Sequence, residues 1–241
     1  GGSRTPIGLA LPIAESLVAR LRELPGVERC EFAGSLRRGR DTIGDIDLIA
    51  GARAAHAPAI GEAFRAMPEV QEVLAAGETK SSVRLSIHGA RIQCDLRVVD
   101  PSQFGAALLY FTGSKEHNVR LRERAQKRAM TLNEYGLFLD DGKPAPQTRG
   151  ATPIASATEE DIYRALDLAC PPPEIREDCG ELNHPPGHDF GLITLADIKA
   201  ELHAHTVASD GALTIAQLAL EAKRRGFHTI AVTDHAKSSA I

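Results

Sequence analysis

The stretch AGSLRRGRDTIGDIDLIA, residues 33–50, constrains this chain more than any other. It turns at Gly34-Ser35, passes Arg37, Arg38 and Arg40, and enters an apolar run that opens with Asp45 and Asp47. In a strand, residues i and i+2 share a face, so both carboxylates point the same way. Like charges that close oppose each other's ionisation unless a cation stands between them. A lone Asp-x-Asp is most often a solvated strand end or a turn. Here the joint spacing of Gly-Ser, Arg-Arg-Gly and Gly-Asp-Ile-Asp points to a metal ion.

A second strand, RIQCDLRVV, brings Asp95 between apolar neighbours. A carboxylate in such a setting is either buried at a cost or holds a cation. Three carboxylates on neighbouring strands make an oxygen-rich site suited to Mg²⁺ or Mn²⁺. Gly34-Ser35 lies where a strand turns into a helix, so free backbone N–H groups there suit a phosphate. Arg38 adds a charge-assisted donor. A phosphate cradle beside three carboxylates points to metal-assisted phosphoryl transfer.

The remaining chain is read by periodicity. Helices are expected over 11–24, 57–66, 102–111, 115–130 and 159–169, and strands over 27–33, 45–50, 83–87 and 91–99, the last two forming a hairpin through His88-Gly89-Ala90. A strand pair is expected over 132–139, turning at Tyr135-Gly136, and 145–156 reads as a loop. Residues 171–191 are rich in acidic residues, Pro and Gly. Beyond them strand, helix and strand follow at 198–203, 215–225 and 228–233, as at the start of a βα barrel or open α/β domain.

Charge changes along the chain. Residues 1–150 carry 21 Lys+Arg against 18 Asp+Glu, and residues 151–241 carry 7 against 14. The first part suits a polyanion; the second does not. Six of the fourteen residues from Lys115 to Arg128 are basic. Such runs are most often solvated faces, but beside a phosphoryl-transfer site a phosphate-tracking role is the better reading. No apolar run is long enough to span a membrane. Cys30, Cys94, Cys170 and Cys179 form no close pair, so reduced thiols and a cytoplasmic location are expected.

GSLRRGRDTIGDIDLI closely resembles the nucleotidyltransferase signature of family X DNA polymerases, and LLYFTGSKEHNVRLRERAQKRAMTLNEYGLF resembles that family's nucleotide-binding and thumb segment. With Asp95, the resemblance covers nearly all of residues 5–180. It implies an α+β fold: a nucleotidyltransferase palm with a mixed sheet over 1–100, a small thumb over 101–175, and a linker over 176–192. It also implies DNA polymerase activity by two-metal transfer of a dNTP to a primer 3′-hydroxyl, with gapped primer–template DNA as partner, in repair, by a monomer. Asp45, Asp47 and Asp95 would bind the metals, and Asp95 would help activate the hydroxyl. Gly34, Ser35, Arg38 and the Gly44 backbone would hold the triphosphate. Tyr110, Phe111 and the turn at Gly113 would pack on the deoxyribose, and Asn118 would reach the minor-groove edge of the nascent pair. Lys115, Arg120, Arg124, Lys127 and Arg128 would track DNA. Arg37 reads as a solvated charge, Arg97 as an ion-pair partner for Asp95, and His117 as a neighbour of the nucleotide site.

AELHAHTVASDGALT puts His203 and His205 on one strand face with Asp210 close behind, and IAVTDHA adds His235. Imidazoles with a carboxylate suit Mn²⁺, Zn²⁺ or Fe. The joint pattern resembles the start of a polymerase-and-histidinol-phosphatase (PHP) domain, a metal-dependent phosphoesterase barrel that follows the thumb in bacterial family X polymerases. Residues 193–241 would be its N-terminal part, with Mn²⁺ or Zn²⁺ as the metal and 3′–5′ exonuclease activity in the whole protein. The family's helix-hairpin-helix region is not expected before Leu11, and the barrel and its nuclease site are expected to be incomplete at Ile241. His184 and His188 read as loop residues. Two alternatives stand beside the polymerase: a non-catalytic nucleic-acid-binding fragment, and a nucleotidyltransferase with another acceptor.

Overall fold

The structure, a computed structural model, describes residues 4–87 and 89–236. They divide into two compact units, Gly1–His188 and Asp189–Ile241. His88, expected in the hairpin turn, lies outside the described residues.

In the first unit, β1 (Thr5–Pro6) leads into α1 (Ile7–Arg22), which starts one turn before the expected Leu11 and holds Pro12 in its interior. Burial of Ala10, Ile13, Ala14, Leu17, Val18 and Leu21 along one face offsets the amide that Pro12 lacks. Then come β2 (Val27–Phe32), the single turn α2 (Gly34–Arg37), β3 (Thr42–Ile43), β4 (Asp45–Ala52) and α3 (Ala57–Arg65). Three strands follow: β5 (Val70–Ala76), β6 (Lys80–Ile87) and β7 (Ala90–Val99). β5 was not expected from the sequence. It is an edge strand whose residues are nearly all exposed, so no apolar alternation announces it.

The five-stranded sheet has the order β2-β4-β7-β6-β5 and is mixed. β4 and β7 are parallel, and the other pairs are antiparallel. On β4, Ile46, Leu48, Ala50 and Ala52 join one buried core with residues of α1 and α3 and with Ile92, Cys94, Leu96 and Val98 of β7. Asp45, Asp47 and Ile49 take the other face by the period of two. There Ile49 packs under Phe104, Ala107 and Leu108 of α4 (Phe104–Thr112). One sheet face thus makes the core, while the other carries the carboxylates beside a helix.

The chain continues through α5 (Lys115–Gln126), the hairpin β8 (Met130–Asn133) and β9 (Gly136–Leu139), and α6 (Glu159–Ala165). Ala106, Leu109, Leu121, Leu132, Leu137, Ile162 and Tyr163 form their shared core. Gly105 lets α4 touch the chain before α6: its amide donates to Ala157 O at 3.1 Å, and a Cβ there would run into the Thr158 backbone.

Residues 176–188, expected in a linker, instead fold onto this unit. Arg176 is 1 % exposed and Glu181 5 %, and each is matched by a charged or polar partner elsewhere in the unit. Composition had marked the segment as solvated, but its two buried charges anchor it.

In the second unit, β10 (Ala200–Ala204), α7 (Ile215–Arg224) and β11 (Thr229–Val232) form a βαβ arrangement with the two strands parallel. Thr214 caps α7 and shares a reciprocal capping box with Gln217. No described helix is long and apolar enough to cross a membrane, and all four cysteines are free thiols.

Candidate active site

Asp47 and Asp95 are register partners across the parallel β4–β7 pair, with Asp45 two residues away on the same face. Burial, then the charges of Asp45 and Asp95, pushes the Asp47 carboxyl up to about 6. Asp95 is 8 % exposed. Burial raises its pKa too, but hydrogen bonds from Gln93 and Ser82 and the charge of Lys80 outweigh that and hold it below the ordinary range. Gln93 Nε2 donates to Asp95 Oδ1 at 2.9 Å, and Lys80 Nζ lies 3.3 Å from Oδ2. A donor set of three carboxylates, one of them resisting ionisation through burial and then its neighbours' charge, fits a hard divalent cation.

Gly34 borders this group. Its φ is +65°, and a Cβ would sit 2.5 Å from Asp47 Oδ2. Only a residue without a side chain allows both that backbone and that approach. Ala33 N donates to Asp47 O at 2.8 Å, which ties the start of α2 to β4. Ala33 offers no side-chain cap to α2, so the first amides, at Gly34 and Ser35, have no intrahelical acceptor. Gly34 is buried and Ser35 half-buried, so the Ser35 amide and the exposed backbone at Gly44 are the donors nearest to solvent here.

The arginines divide sharply. Arg37, expected to be solvated, forms a two-point ion pair with Glu159 at 2.9 and 2.8 Å and donates to Thr112 Oγ1 at 2.9 Å. Arg176 grips the same Glu159, so one buried carboxylate joins α2, α6 and the post-thumb segment. Burial raises the Glu159 pKa, but the two guanidinium groups bring it down to about 2. Arg38 Nη1 donates to Thr112 O at 2.6 Å, and its Nε to Glu177 at 2.8 Å. Arg97 does not pair with Asp95, a place taken by Lys80. Its guanidinium stacks 4.1 Å over the Phe111 ring, and its Nε is buried without a hydrogen bond.

Tyr110 and Phe111 meet edge to face at 5.0 Å at the end of α4, just before Gly113. Phe111, Arg97, Lys80, Glu134 and Tyr135 line a cavity of about 350 Å³ between β7, α4 and the β8–β9 hairpin. Asn118 Nδ2 donates to Tyr110 O at 2.7 Å, and its buried Oδ1 has no partner. One turn on, Arg122 shares the Asn118 face of α5 and makes no hydrogen bond or ion pair among the described residues. The basic count of α5 concealed it.

The residues expected to track DNA do not form one free stripe. Arg120 pairs with Asp178 and Glu123, Arg124 donates to the carbonyls of Leu166 and Asp167, and Arg128 pairs with Asp167. Lys115 and Lys127 are exposed and have no such partner among the described residues. His117 is fully buried, facing the thumb interior. Its Nδ1 lies 2.6 Å from Glu181 and its Nε2 2.7 Å from the Tyr163 hydroxyl. Burial holds the imidazole below its usual pKa, so the neutral tautomer donates to Glu181 and accepts from Tyr163. The rings of His184 and His188 stack 3.8 Å apart.

In the second unit, ligand atoms of His205, Asp210 and His235 all lie within 4.8 Å of one another. His205 Nδ1 lies 2.8 Å from Asp210 Oδ1, yet it is buried with no aligned hydrogen bond. Three ligand atoms this close, one of them a buried imidazole nitrogen without a hydrogen bond, fit a cation. His203 stands just outside, with its Nε2 2.9 Å from that of His205. Asp234, which the sequence reading passed over inside Thr-Asp-His, accepts from Thr206 N, Thr206 Oγ1 and Ser209 Oγ.

A mixed sheet bearing three carboxylates beside a glycine-opened helical turn, followed by a small α/β region, makes an α+β fold of the polymerase-beta kind. In agreement, residues 107–177 match the DNA polymerase beta thumb family, and a Leishmania infantum polymerase beta, solved as a ternary P/T complex, superposes with TM-score 0.63 at 21 % identity over 73 % of this chain and 77 % of that one. In sequence the chain is similar to several DNA polymerases, of whose length it spans well under half. It is 35 % identical over 235 residues to the DNA polymerase/3′-5′ exonuclease PolX of Bacillus subtilis, an alignment that covers 97 % of this chain and 39 % of that protein. It is 26 % identical over 164 residues to rat DNA polymerase lambda (61 % of this chain, 28 % of that protein). Over 86 residues it is 41 % identical to human DNA-directed DNA/RNA polymerase mu (35 % of this chain, 16 % of that protein).

Proposed function

We propose that the first unit is the catalytic part of a DNA polymerase that adds a deoxynucleotide to a primer 3′ end, with gapped DNA as substrate. The observation that carries this reading is the pairing of Asp47 with Asp95, with Asp45 on the same face and the α2 amides alongside. Asp45, Asp47 and Asp95 would hold Mg²⁺ or Mn²⁺, which would supply charge neutralisation for the attacking and leaving oxygens. The amides of Gly34 and Ser35 and the guanidinium of Arg38 bind the triphosphate. Tyr110, Phe111 and the turn at Gly113 pack against the sugar, and Asn118 and Arg122 face the base pair. Asp95, kept ionised by Gln93, Ser82 and Lys80, accepts the hydroxyl proton as the primer attacks.

The second unit, with His205, Asp210 and His235 and His203 beside them, supports a metal-dependent phosphoesterase role of the PHP kind, with Mn²⁺ or Zn²⁺. The Bacillus relative bears the name of a 3′-5′ exonuclease as well as a polymerase, and its alignment runs through this unit.

The experiment is primer extension on a one-nucleotide-gapped duplex with Mg²⁺ or Mn²⁺, at low salt because phosphate contacts weaken steeply with ionic strength. Asp95→Ala is run beside it, and extension is expected to vanish in the variant. DNA binding without extension by either chain would favour the non-catalytic binding module. Transfer to RNA or to a small acceptor in preference to the primer would favour a different nucleotidyltransferase.

A further inference from the structure

Arg38 is the charged donor of the proposed triphosphate cradle, yet two of its three nitrogens are already held by the protein. Nη1 donates to the Thr112 carbonyl at 2.6 Å, and Nε donates to Glu177 Oε1 at 2.8 Å. Nη2 has no hydrogen bond among the described residues. Its two N–H groups, with the second N–H of Nη1, are what the guanidinium has left to offer a ligand.

Glu177 comes from the post-thumb segment, and that segment is fixed on both sides of it. Before it, Arg176 is buried, ion-paired with Glu159, and donates through Nε to Pro171 O at 2.9 Å. The Arg176 carbonyl accepts from Ser114 N at 3.0 Å, at the turn beside the sugar-packing aromatics. After it, Glu181 is buried against His117 and accepts from the amides of Asp178 and Cys179 at 3.0 and 2.8 Å. So anchored a backbone keeps the Glu177 carboxylate within reach of Arg38. It acts as a support.

We propose that Glu177 is a positioning residue for triphosphate binding. Together with the Thr112 carbonyl it fixes the plane of the Arg38 guanidinium and leaves Nη2 to meet the phosphate oxygens. This rests on the assignment of Arg38 to the triphosphate made above. An arginine left free would have to surrender rotamer freedom when nucleotide binds; one already held surrenders little. Arg40, half-exposed with its Nη1 3.8 Å from the same carboxylate, supplies positive charge at longer range. The post-thumb segment thus completes a nucleotide site whose other parts come from α2 and α4.

The test compares the full chain with Glu177→Ala, Glu177→Gln, Arg38→Ala and the Glu177→Ala/Arg38→Ala double variant. Two readouts are used: the KM for the incoming dNTP and for gapped DNA in primer extension, and calorimetric binding of dGTP in the presence of Mn²⁺. Glu177→Ala is expected to weaken dNTP affinity about tenfold, with kcat and the KM for DNA changed less than about twofold. Glu177→Gln keeps an acceptor at the same atom and recovers most of the loss, and it stands in should the alanine variant melt early. The double variant is expected to be no worse than Arg38→Ala alone, because Glu177 acts through Arg38. Tighter dNTP binding by Glu177→Ala would overturn the proposal and make the carboxylate a competitor of phosphate. So would unchanged binding, or a loss that adds in full to that of Arg38→Ala. If Arg38→Ala itself leaves dNTP affinity unchanged, the triphosphate assignment fails and the proposal falls with it.

Discussion

Asp47 and Asp95 stand opposite each other across β4 and β7, and their ionisations are pulled in opposite directions. Burial, Asp45 and Asp95 raise Asp47 to about 6, while the hydrogen bonds and the lysine around Asp95 keep that group ionised. The metal-free fold therefore holds the Asp47 proton more tightly than the unfolded chain does. The stability this lends is complete below the unfolded value near 3.8 and is lost as pH rises through about 6. Melting curves in EDTA are expected to show a declining contribution over that window. Mn²⁺ or Mg²⁺ should remove the decline above pH 6, because a cation rewards the ionised form. A metal-free melting temperature that rises from pH 4 to 6 in the wild type relative to Asp47→Asn would contradict this.

Gly34→Ala tests the contact between the helical turn and the metal carboxylates. The new methyl would press on Asp47 Oδ2, and a left-handed backbone costs a non-glycine residue about 1–2 kcal/mol. Asp47 is an end group and can yield, so the chain should still fold. Its carboxylate would then leave the position shared with Asp95, and primer extension is expected to fall about 100-fold or more, well beyond the loss in stability. A variant that melts earlier yet extends primers at the wild-type rate would show that the contact is structural only.

Much of this site was legible in the sequence. Asp45, Asp47 and Asp95 declare themselves because strand periodicity fixes which residues share a face, and local spacing carries that information. The partners of the arginines did not, since spacing says nothing about groups far apart in the chain. Arg37 read as a solvated charge, and its carboxylate is 122 residues away. Residues 176–188 read as linker because Pro, Gly and acidic residues are usually solvated. The ion pair of Arg176 and the hydrogen bond of Glu181 to His117 reverse that. β5 escaped notice because an exposed edge strand owes its existence to pairing with β6, not to a buried face of its own. On α5 the density of basic residues was visible, but not that Arg120, Arg124 and Arg128 are committed to the protein itself.

Glu159 is the joint of that hidden network. It is 5 % exposed and shared by Arg37 and Arg176. Glu159→Gln leaves two guanidinium groups without their counter-charge, one of them fully buried. Removing one partner of a buried ion pair typically costs about 3–5 kcal/mol, and a loss of that order is expected in denaturant titrations. The pH signature is the reverse of that of Asp47. The folded Glu159 pKa lies near 2, below its unfolded value of 4.5, so the wild-type chain keeps this stability above pH 4.5 and loses it as pH falls towards 2. The glutamine variant should lack that acid-side decline. An unchanged unfolding free energy would mean that the two arginines find other acceptors.

The second unit offers a test of its own. His205, Asp210 and His235 converge from the segment after β10 and the segment after β11, so a cation there would tie the two strands of the small sheet together. Mn²⁺ or Zn²⁺ is expected to raise the thermal stability of this unit, and His205→Ala or Asp210→Ala should abolish that gain and remove metal from the dialysed protein. His203 lies outside the group, so His203→Ala should weaken metal binding less than either. The two sets of variants should also separate cleanly. Asp95→Ala is expected to leave the metal content at the histidine site unchanged, and Asp210→Ala to leave primer extension unchanged. If His203→Ala costs as much metal as His205→Ala, the ligand set is wider than the three residues that converge here, and His203 turns inward when the ion arrives.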